Sequence, residues 1–378
     1  MPAVRTRAGS AKLAPEEGCL LIADISGYTG YVVAGPLEYA EDVVADVTAT
    51  VADQLGSVFR LNKLEGDAVF GYTLAGEGDG SMLLDAVESC YFTFRRRLEG
   101  MQHATNCTCT ACTKLPELDL KFVLHYGTFV RRAAGGGEEL TGEDVILVHR
   151  LLKNAVVEEL GTRGYVLVTE ACARALSLDP PSLGWVEHRE SNSDVGELRA
   201  FVSDLENRWR DERERTRVYV PPEEAVFEIE ALLAGPPMRV WDYLTSPEKR
   251  ARWQDLRIDE VTDGGRRCTG TVSVCVDGRS MVYEEILDWR PFDYFTERRT
   301  LPGVGKLILT TELEAVNGGT RVRTRAQRLK GADRLAGVLR LPRVRRDLRR
   351  AYTRLAAALA ENHELEPGSL ATPGALAL

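Results

Sequence analysis

Apolar residues in the first half of the chain follow a strand pattern and a helix pattern in turn. Residues 20–23 form an uninterrupted apolar run, which predicts a buried strand. Residues 36–56 repeat apolar positions at helical spacing, and Gly56 predicts the end of that helix. A hairpin, a second helix at 81–99 and a strand in LDLKFVLHYG follow. The order β-α-β-β-α-β predicts an α+β fold that begins with a ferredoxin-like unit.

The first domain continues beyond a glycine-rich loop at 135–137. We expect a helix at about 144–159, a strand in GYVLVT, a helix at 170–177 and a last strand in ELRAFVSDL. The next segment, ENRWRDERERTR, is almost wholly charged or polar and two prolines follow it. This composition predicts a linker.

Alternating strands dominate the second half. EAVFEIEALLAG predicts a strand, PPMRVWDYLTSPEKRARWQ two short helices, and five alternating segments predict further strands before a long helix that begins near Ala332. This order predicts a curved antiparallel sheet covered by one helix. The predicted organisation is a disordered tail at 1–17, a first domain at 18–205, a charged linker at 206–222, a second domain at 223–363 and a disordered tail at 364–378.

Composition narrows the class of protein. The chain has 378 residues, of which 44% are hydrophobic, and this is ample for packed cores. Its net charge of -9 disfavours general nucleic-acid binding, because phosphate contacts need a clustered positive surface. Residues 1–17 lack the apolar region of a signal peptide, and no segment reaches the ~18 apolar residues of a membrane span. We expect a cytoplasmic protein without a transmembrane segment.

Two aspartates follow apolar segments in a way that suggests a metal site. Asp24 ends the first apolar run, where a carboxylate is costly unless a cation or several donors meet it. Asp67 follows Gly66 in the turn of the predicted hairpin, and adjacent strand ends would bring the two carboxylates together. The alternative interpretation is that Asp24 caps the following turn and Asp67 is an ordinary turn residue.

The strings around these aspartates resemble a known family. DISGYT, followed 43 residues later by the aspartate of KLEGD, is similar to the Asp-Ile-x-Gly-Phe-Thr and Lys-x-x-Gly-Asp pattern of class III nucleotide cyclases, with Tyr28 in place of Phe. LKFVLHYGTFV resembles the Gly-Ile-His-x-Gly strand of that family. ELTGEDVILVHRLLKNA resembles the segment that ends in Asn-x-x-x-Arg. The resemblance covers about residues 18–205.

The resemblance implies a site for two divalent ions and a nucleotide. Asp24 and Asp67 would bind Mg²⁺ or Mn²⁺, with the backbone carbonyl of Ile25 as a further ligand. Lys63 would read the purine. Glu139 would accept a hydrogen bond from the exocyclic amine of adenine, which favours ATP, or it is a solvated loop acid.

Other positions depart from the family. Arg150 matches the arginine that steadies the transferring phosphate, or it is a plain helix-surface arginine. Ile146 replaces the ribose-orienting Asn, and SNSDVGELRAF lacks the family's second phosphate lysine. Losing one preorganised donor costs on the order of 10²-fold in rate, so the resemblance implies a slow enzyme or none. His149, near Ile146 on the same helix face, is a candidate substitute or a partly buried structural histidine. The family's sites form between two domains, which implies a homodimer.

A cysteine cluster interrupts the run from helix to strand. His103, Cys107, Cys109 and Cys112 lie within ten residues, and three thiolates with one imidazole form a tetrahedral zinc set of the structural kind. Cys90 or His125 are alternatives to His103 as the fourth ligand. The competing interpretation is a loop of free or redox-active thiols.

The second half has its own resemblance. Pro-Pro-x-x-Val-Trp-Asp-Tyr-Leu-Thr-Ser-Pro-Glu, with Trp253 shortly after, is similar to the START/SRPBCC helix-grip superfamily, which includes polyketide cyclases and lipid-transfer domains. The resemblance implies an apolar cavity for a small molecule or lipid between sheet and helix. Trp241, Trp253, Tyr283 and Trp289 are candidates for its lining, with core packing as the alternative. The arginine-rich C-terminal helix is either a solvated face or a contact for anionic lipid.

Three functions compete. The first is an active adenylate cyclase regulated by an apolar ligand. The second is a degenerate or weakly active cyclase that still binds metal and nucleotide, and Ile146 with the missing lysine favours it over the first. The third is a carrier or aromatase-like enzyme in which the second domain does the work and the cyclase fold is a scaffold.

Overall fold

The computed structural model describes residues 14–34, 37–104, 113–134, 137–192, 196–262, 264–277, 280–301, 305–327 and 340–363. The chain divides into two compact units, Met1–Glu214 and Arg215–Leu378. Within the described ranges, the first unit has a mixed sheet of eight strands and the second an antiparallel sheet of seven. Both units also contain helices. The predicted α+β class is therefore confirmed.

The first unit is built on one continuous sheet. Its strands are β1 (Glu16–Ser26), β2 (Arg60–Glu65), β3 (Ala68–Tyr72), β4 (Asp119–Ala134), β5 (Gly137–Thr141), β6 (Tyr165–Thr169), β7 (Val186–Asn192) and β8 (Gly196–Asp204). Its helices are α1 (Tyr28–Val33), α2 (Leu37–Leu55), α3 (Gly80–Ala104), α4 (Glu143–Arg150), α5 (Val156–Leu160), α6 (Glu170–Ala175) and α7 (Leu205–Glu214). The strand order is β2-β3-β1-β4-β6-β8-β7, and β5 pairs with β4.

β1 lies inside this sheet because its central residues have no polar face to present to water. Residues 19–23 are buried, and β1 pairs antiparallel with β3 on one side and with β4 on the other. The helices α2 and α3 then follow β1 and β3 in the chain, as the apolar periodicity predicts. The β-α-β-β-α-β order of the ferredoxin-like unit is present, with the short helix α1 added before α2.

The prediction of one continuous helix at 144–159 is wrong, because this segment forms the two helices α4 and α5. Asn154 lies between α4 and α5. Its side chain donates to the carbonyl of Leu151 (2.7 Å) and accepts from the amide of Val156 (3.1 Å). An asparagine that bonds to nearby backbone offers the chain an alternative to helix hydrogen bonds, so the helix stops and restarts there.

Three further segments of the first unit differ from the periodicity. β5 begins at Gly137, the last residue of the glycine-rich stretch, and β7 was not predicted because its segment VEHRESN is polar. The buried imidazole of His188 in β7 lies between the carboxylates of Glu159 (3.0 Å) and Glu190 (2.6 Å). The first part of the predicted linker is the helix α7, whose Trp209 is buried.

The second unit is an antiparallel sheet with a long helix. Its strands are β9 (Ala225–Leu233), β10 (Arg257–Val261), β11 (Val272–Asp277), β12 (Ser280–Arg290), β13 (Tyr294–Leu301), β14 (Gly305–Val316) and β15 (Gly319–Gln327), in the order β10-β11-β12-β13-β14-β15-β9. Its helices are α8 (Pro237–Thr245), α9 (Pro247–Gln254) and α10 (Leu341–His363). Leu355 and Leu359 of α10 pack with Leu309 of the sheet in one apolar core. The predicted helix start near Ala332 lies outside the described residues.

Among the described residues, no helix is both long enough and apolar enough to cross a bilayer.

Candidate functional site

The sheet places the two aspartates of the sequence motif beside each other. Asp24 is in β1, where its Cα is paired with Ala68 of β3. Asp67 immediately precedes β3, after Gly66, whose φ of +66° lies in the left-handed region that favours glycine. The amide of Ile25 donates to the backbone carbonyl of Asp67 at 3.4 Å. The turn and the strand are therefore held together by backbone as well as by register.

A cavity of about 360 Å³ opens at this point. It is lined by Asp24, Asp67, Lys121 and the segment 25–30. Within that segment Gly27 has φ +86°, and an added Cβ would lie 2.9 Å from the carbonyl oxygen of Glu117. The loop after β1 can therefore take this path only with glycine at position 27.

The electrostatics of the cavity fit a cation. Burial raises the pKa of Asp67, and the nearby carboxylate of Asp24 raises it further, while the Asp67 amide and Lys121 lower it. Two carboxylates that repel each other in a partly desolvated cavity are stabilised by a divalent ion with oxygen preference. Asp24, Asp67 and Ile25, which the cyclase resemblance implies as ligands, thus line the same cavity, and the two carboxylates could hold such an ion.

Lys121 is a member of this site that the sequence analysis missed. It lies in β4 opposite Asp24, and its Nζ is 3.2 Å from Asp24 Oδ2. The same ammonium group donates to the carbonyl of Leu152 at 3.0 Å. The sequence could have indicated Lys121 as a site residue, because it is a charged residue in the otherwise apolar run LKFVL.

Lys63 and His149 both approach Glu65. Lys63 is an exposed residue of β2 and forms an ion pair with Glu65. His149 Nε2 is 3.2 Å from Glu65 Oε2, its Nδ1 bonds to the carbonyl of Val145 at 2.7 Å, and its ring packs edge-on against Phe70. His149 therefore has the contacts of a half-buried structural histidine, the alternative that the sequence left open.

The predicted purine and phosphate residues lie on surrounding elements. Glu139 in β5 pairs with Arg132 at 2.6 Å. The side-chain amide of Asn62 in β2 donates to the carbonyl of Glu138 in β5 at 2.8 Å, so the segments that carry Lys63 and Glu139 are in contact, although their strands are not adjacent in the sheet. Arg150 is the exposed last residue of α4, and Ile146 in the same helix is 55% exposed.

The cysteine cluster lies largely outside the described residues. These omit Cys107, Cys109 and Cys112, and they include the backbone of His103 at the end of α3 but not its side chain. Both alternative fourth ligands are in other contacts. Cys90 is buried with its thiol toward the carbonyl of Val51, and burial raises its pKa. His125 bonds to Thr169 (2.9 Å) and Asp144 (3.0 Å). In the part that the structure describes, no three His, Cys, Asp or Glu side chains form a metal-binding group.

Three of the four aromatic residues predicted to line an apolar cavity are core residues. Trp241, Trp253 and Trp289 are buried, and the rings of Trp241 and Trp289 are 4.8 Å apart. The indole of Trp253 donates to the carbonyl of Tyr243 at 2.8 Å. Tyr283 is 47% exposed on β12. The three tryptophans therefore have the contacts of core packing, which is the alternative to lining an apolar cavity.

Two family models match parts of the chain. Residues 44–159 match "Protein of unknown function (DUF2652)", and residues 224–364 match "Polyketide cyclase / dehydrase and lipid transport". A curated relative, the uncharacterized protein Rv2561/Rv2562 of Mycobacterium tuberculosis, is 35% identical over 117 residues, which are 31% of this chain and 53% of that protein. The match thus spans about half the length of the relative.

Solved structures give more distant similarities. A bacterial light-regulated adenylyl cyclase is 15% identical with a TM-score of 0.38, over 54% of this chain and 59% of that chain. The adenylyl cyclase CyaB from P. aeruginosa is 14% identical with a TM-score of 0.36, over 51% of this chain and 97% of that chain. At these values neither assigns an activity. The chain therefore joins a ferredoxin-like first unit, whose motifs resemble those of nucleotide cyclases, to a second unit that matches the polyketide cyclase / dehydrase and lipid transport family model.

Proposed function

We propose that the first unit binds a divalent metal ion and a purine nucleoside triphosphate, with ATP favoured, as a degenerate or weakly active adenylate cyclase-like signalling domain. The observation that supports this is the convergence of Asp24 and Asp67 on one cavity, beside the loop of the DISGYT motif. Carboxylate oxygens are the ligands that Mg²⁺ and Mn²⁺ prefer. A bound ion would neutralise and orient the triphosphate.

Residues outside the cavity would take the remaining roles, on a nucleotide held by the aspartates of a second copy of the chain. Lys63 and Glu139 would contact its purine, and Arg150 would contact its phosphates. Ile146 presents an apolar, half-exposed side chain where a hydrogen-bond donor to the ribose is needed. Weak or absent turnover follows from that loss.

The test measures binding, so that it does not depend on turnover. Mn²⁺ with ATP should raise the melting temperature of the full chain, by an amount equivalent to roughly 2.7 kcal/mol at a hundredfold excess over the dissociation constant. Asp24→Asn and Asp67→Asn should each abolish this rise. The control is Asp211→Asn, which removes an exposed carboxylate of α7 and should leave the rise intact. No metal-dependent nucleotide binding by the wild type at millimolar concentrations would refute the proposal.

We also propose that the second unit binds an apolar small molecule or lipid and thereby biases the first. The match of residues 224–364 to a family described by lipid transport supports this. Native mass spectrometry of the full chain and displacement of a fluorescent lipid would test the binding. The displacing ligand should then change the Mn²⁺-dependent affinity for ATP. If no apolar probe binds, the second unit has another role.

A further inference from the structure

The helix α10 has two opposite faces. Its buried residues, which include Tyr352, Leu355 and Leu359, lie on one side and pack in the core of the second unit. Successive residues of a helix are about 100° apart, so the exposed positions fall on the other side. That side forms an arginine face, which consists of Arg343, Arg345, Arg346, Arg349, Arg350 and Arg354. The face extends along about 17 Å of the helix axis.

Most of the arginine face is not neutralised by neighbouring side chains. Arg343 lies 3.8 Å from Asp347, and Arg354 donates to the backbone carbonyl of Gln254 at 3.3 Å. Within the described ranges, the other four guanidinium groups form neither an ion pair nor a hydrogen bond. They belong to Arg345, Arg346, Arg349 and Arg350. Like charges three and four residues apart are neighbours on a helix and destabilise it, so these arginines do not stabilise α10 by themselves.

A second row of arginines in the same unit is neutralised. On β15, Arg321 lies 3.1 Å from the carboxylate of Glu314, and Arg323 lies 3.0 Å from that of Glu230. A row of charges that serves only to face water can thus be given carboxylate neighbours in this fold. The chain as a whole carries a net charge of -9, so a dense positive face is unusual on it. The arginine face therefore fits an anionic partner.

The composition of the face favours a charged surface over a nucleic acid. Between Arg343 and Arg354, the exposed residues besides arginine are Asp347 and Thr353. They include no aromatic ring on which a base could stack, and no Asn or Gln that could read adenine. The planar guanidinium group binds phosphate with two hydrogen bonds, and the headgroups of an anionic bilayer present phosphates across a plane.

We propose that the arginine face docks the second unit on the surface of a membrane that contains anionic phospholipid. The choice of lipid rests in part on the proposed function, because the second unit is there assigned an apolar ligand or lipid. The contact is electrostatic and peripheral, since no apolar side chain between Arg343 and Arg354 is exposed for insertion. Salt should therefore weaken it.

Co-sedimentation of the full chain with vesicles tests the proposal. The protein should bind vesicles that contain about one-third phosphatidylglycerol, but not vesicles of phosphatidylcholine alone. Raising the salt concentration from about 0.05 M to about 0.5 M should release it. Glutamine at four positions of the face should weaken binding by more than about tenfold. These substitutions are Arg345→Gln, Arg346→Gln, Arg349→Gln and Arg350→Gln.

The matched control removes the same number of positive charges from arginines that already have carboxylate partners. It combines Arg189→Gln, Arg199→Gln, Arg321→Gln and Arg323→Gln. Vesicle binding by this variant should equal that of the wild type. An equal loss in both variants would show that net charge, and not the arginine face, governs the binding.

Thermal unfolding separates docking from a structural role. Removal of neighbouring like charges should leave the melting temperature of the α10 variant unchanged or raise it. A marked fall would show that these arginines hold the fold and would overturn the proposal.

The remaining outcomes also decide the question. Absence of binding to phosphatidylglycerol vesicles at low salt would overturn the proposal, as would tighter binding of duplex DNA through the same four arginines. Failure of every apolar probe to bind the second unit would refute the proposed ligand but leave vesicle docking standing.

Discussion

In the second unit, several charged side chains are buried and pair with one another. Glu284 is buried and receives the guanidinium groups of Arg250 (2.6 Å) and Arg299 (3.2 Å). Burial by itself would raise the pKa of Glu284, but these two arginines outweigh it and lower the pKa to about 2. Arg299 also contacts the buried carboxyl group of Glu297 at 2.7 Å, so the four side chains form one connected network.

Removing one charge from this network should be costly. Glu284→Gln leaves the buried Arg250 without its carboxylate, and breaking a buried pair in this way costs about 3–5 kcal/mol. Urea unfolding of the full chain, followed by tryptophan fluorescence, would measure the loss. The matched control is Glu285→Gln, which breaks the half-exposed pair with Arg298 and should cost about 1 kcal/mol or less. Equal effects of the two variants would contradict the buried network.

The same carboxylate predicts a pH dependence. Because the pKa of Glu284 falls from 4.5 to about 2 on folding, its ionised form stabilises the protein fully above pH 4.5. That contribution is lost as the pH falls from 4.5 toward 2. The stability difference between wild type and Glu284→Gln should therefore be largest at neutral pH and shrink through this window, as measured by urea unfolding at successive pH values. A difference that does not change with pH would show that Glu284 is not ionised in the native state.

At the scale of elements, the loop between β1 and α1 carries the site. It follows the buried strand directly, and Gly27 lets it turn beneath the carbonyl of Glu117. The path of this loop decides whether Ile25 and the two aspartates line one cavity.

A substitution pair tests this loop. Gly27→Ala forces alanine into the left-handed region, which costs about 1–2 kcal/mol, and its Cβ meets a backbone oxygen that cannot move freely. We expect lower stability and weaker Mn²⁺ binding, measured by thermal unfolding and titration. Gly100→Ala is the control, since Gly100 lies in α3, outside the lining of the cavity, with no atom within 4 Å of an added Cβ. Normal stability of Gly27→Ala would show that the loop has another path.

At the scale of the whole molecule, the cysteine cluster predicts a property of the purified chain. Cys107, Cys109 and Cys112 with His103 should hold one structural zinc ion per chain, because thiolates in this compact spacing form a tetrahedral set. Elemental analysis of protein purified without added metal should find it. Serine at all three cysteines should remove the zinc and lower the melting temperature, whereas Cys268→Ser should do neither. A zinc-free wild type would leave free thiols as the interpretation.

The sequence by itself predicted the β-α-β-β-α-β order that begins the first unit, the strands β9 and β11 to β15 of the second unit without β10, and the positions of the two aspartates. Local periodicity records which side of a segment is buried, so it predicts α2 and α3 and the alternating strands β11 to β15. It fails where polar side chains create or end an element, as at Asn154 and in β7. Those cases depend on hydrogen bonds that apolar spacing does not record.

Only the tertiary structure decided which residues meet. Lys121 is 97 positions from Asp24 in the chain, and strand register alone brings them opposite each other. Glu284 meets Arg250 because α9 packs on the sheet. Trp241 meets Trp289 because α8 packs on the same sheet. Pairings between distant segments depend on the register and packing of whole elements, and neither is written in the pattern of any one segment.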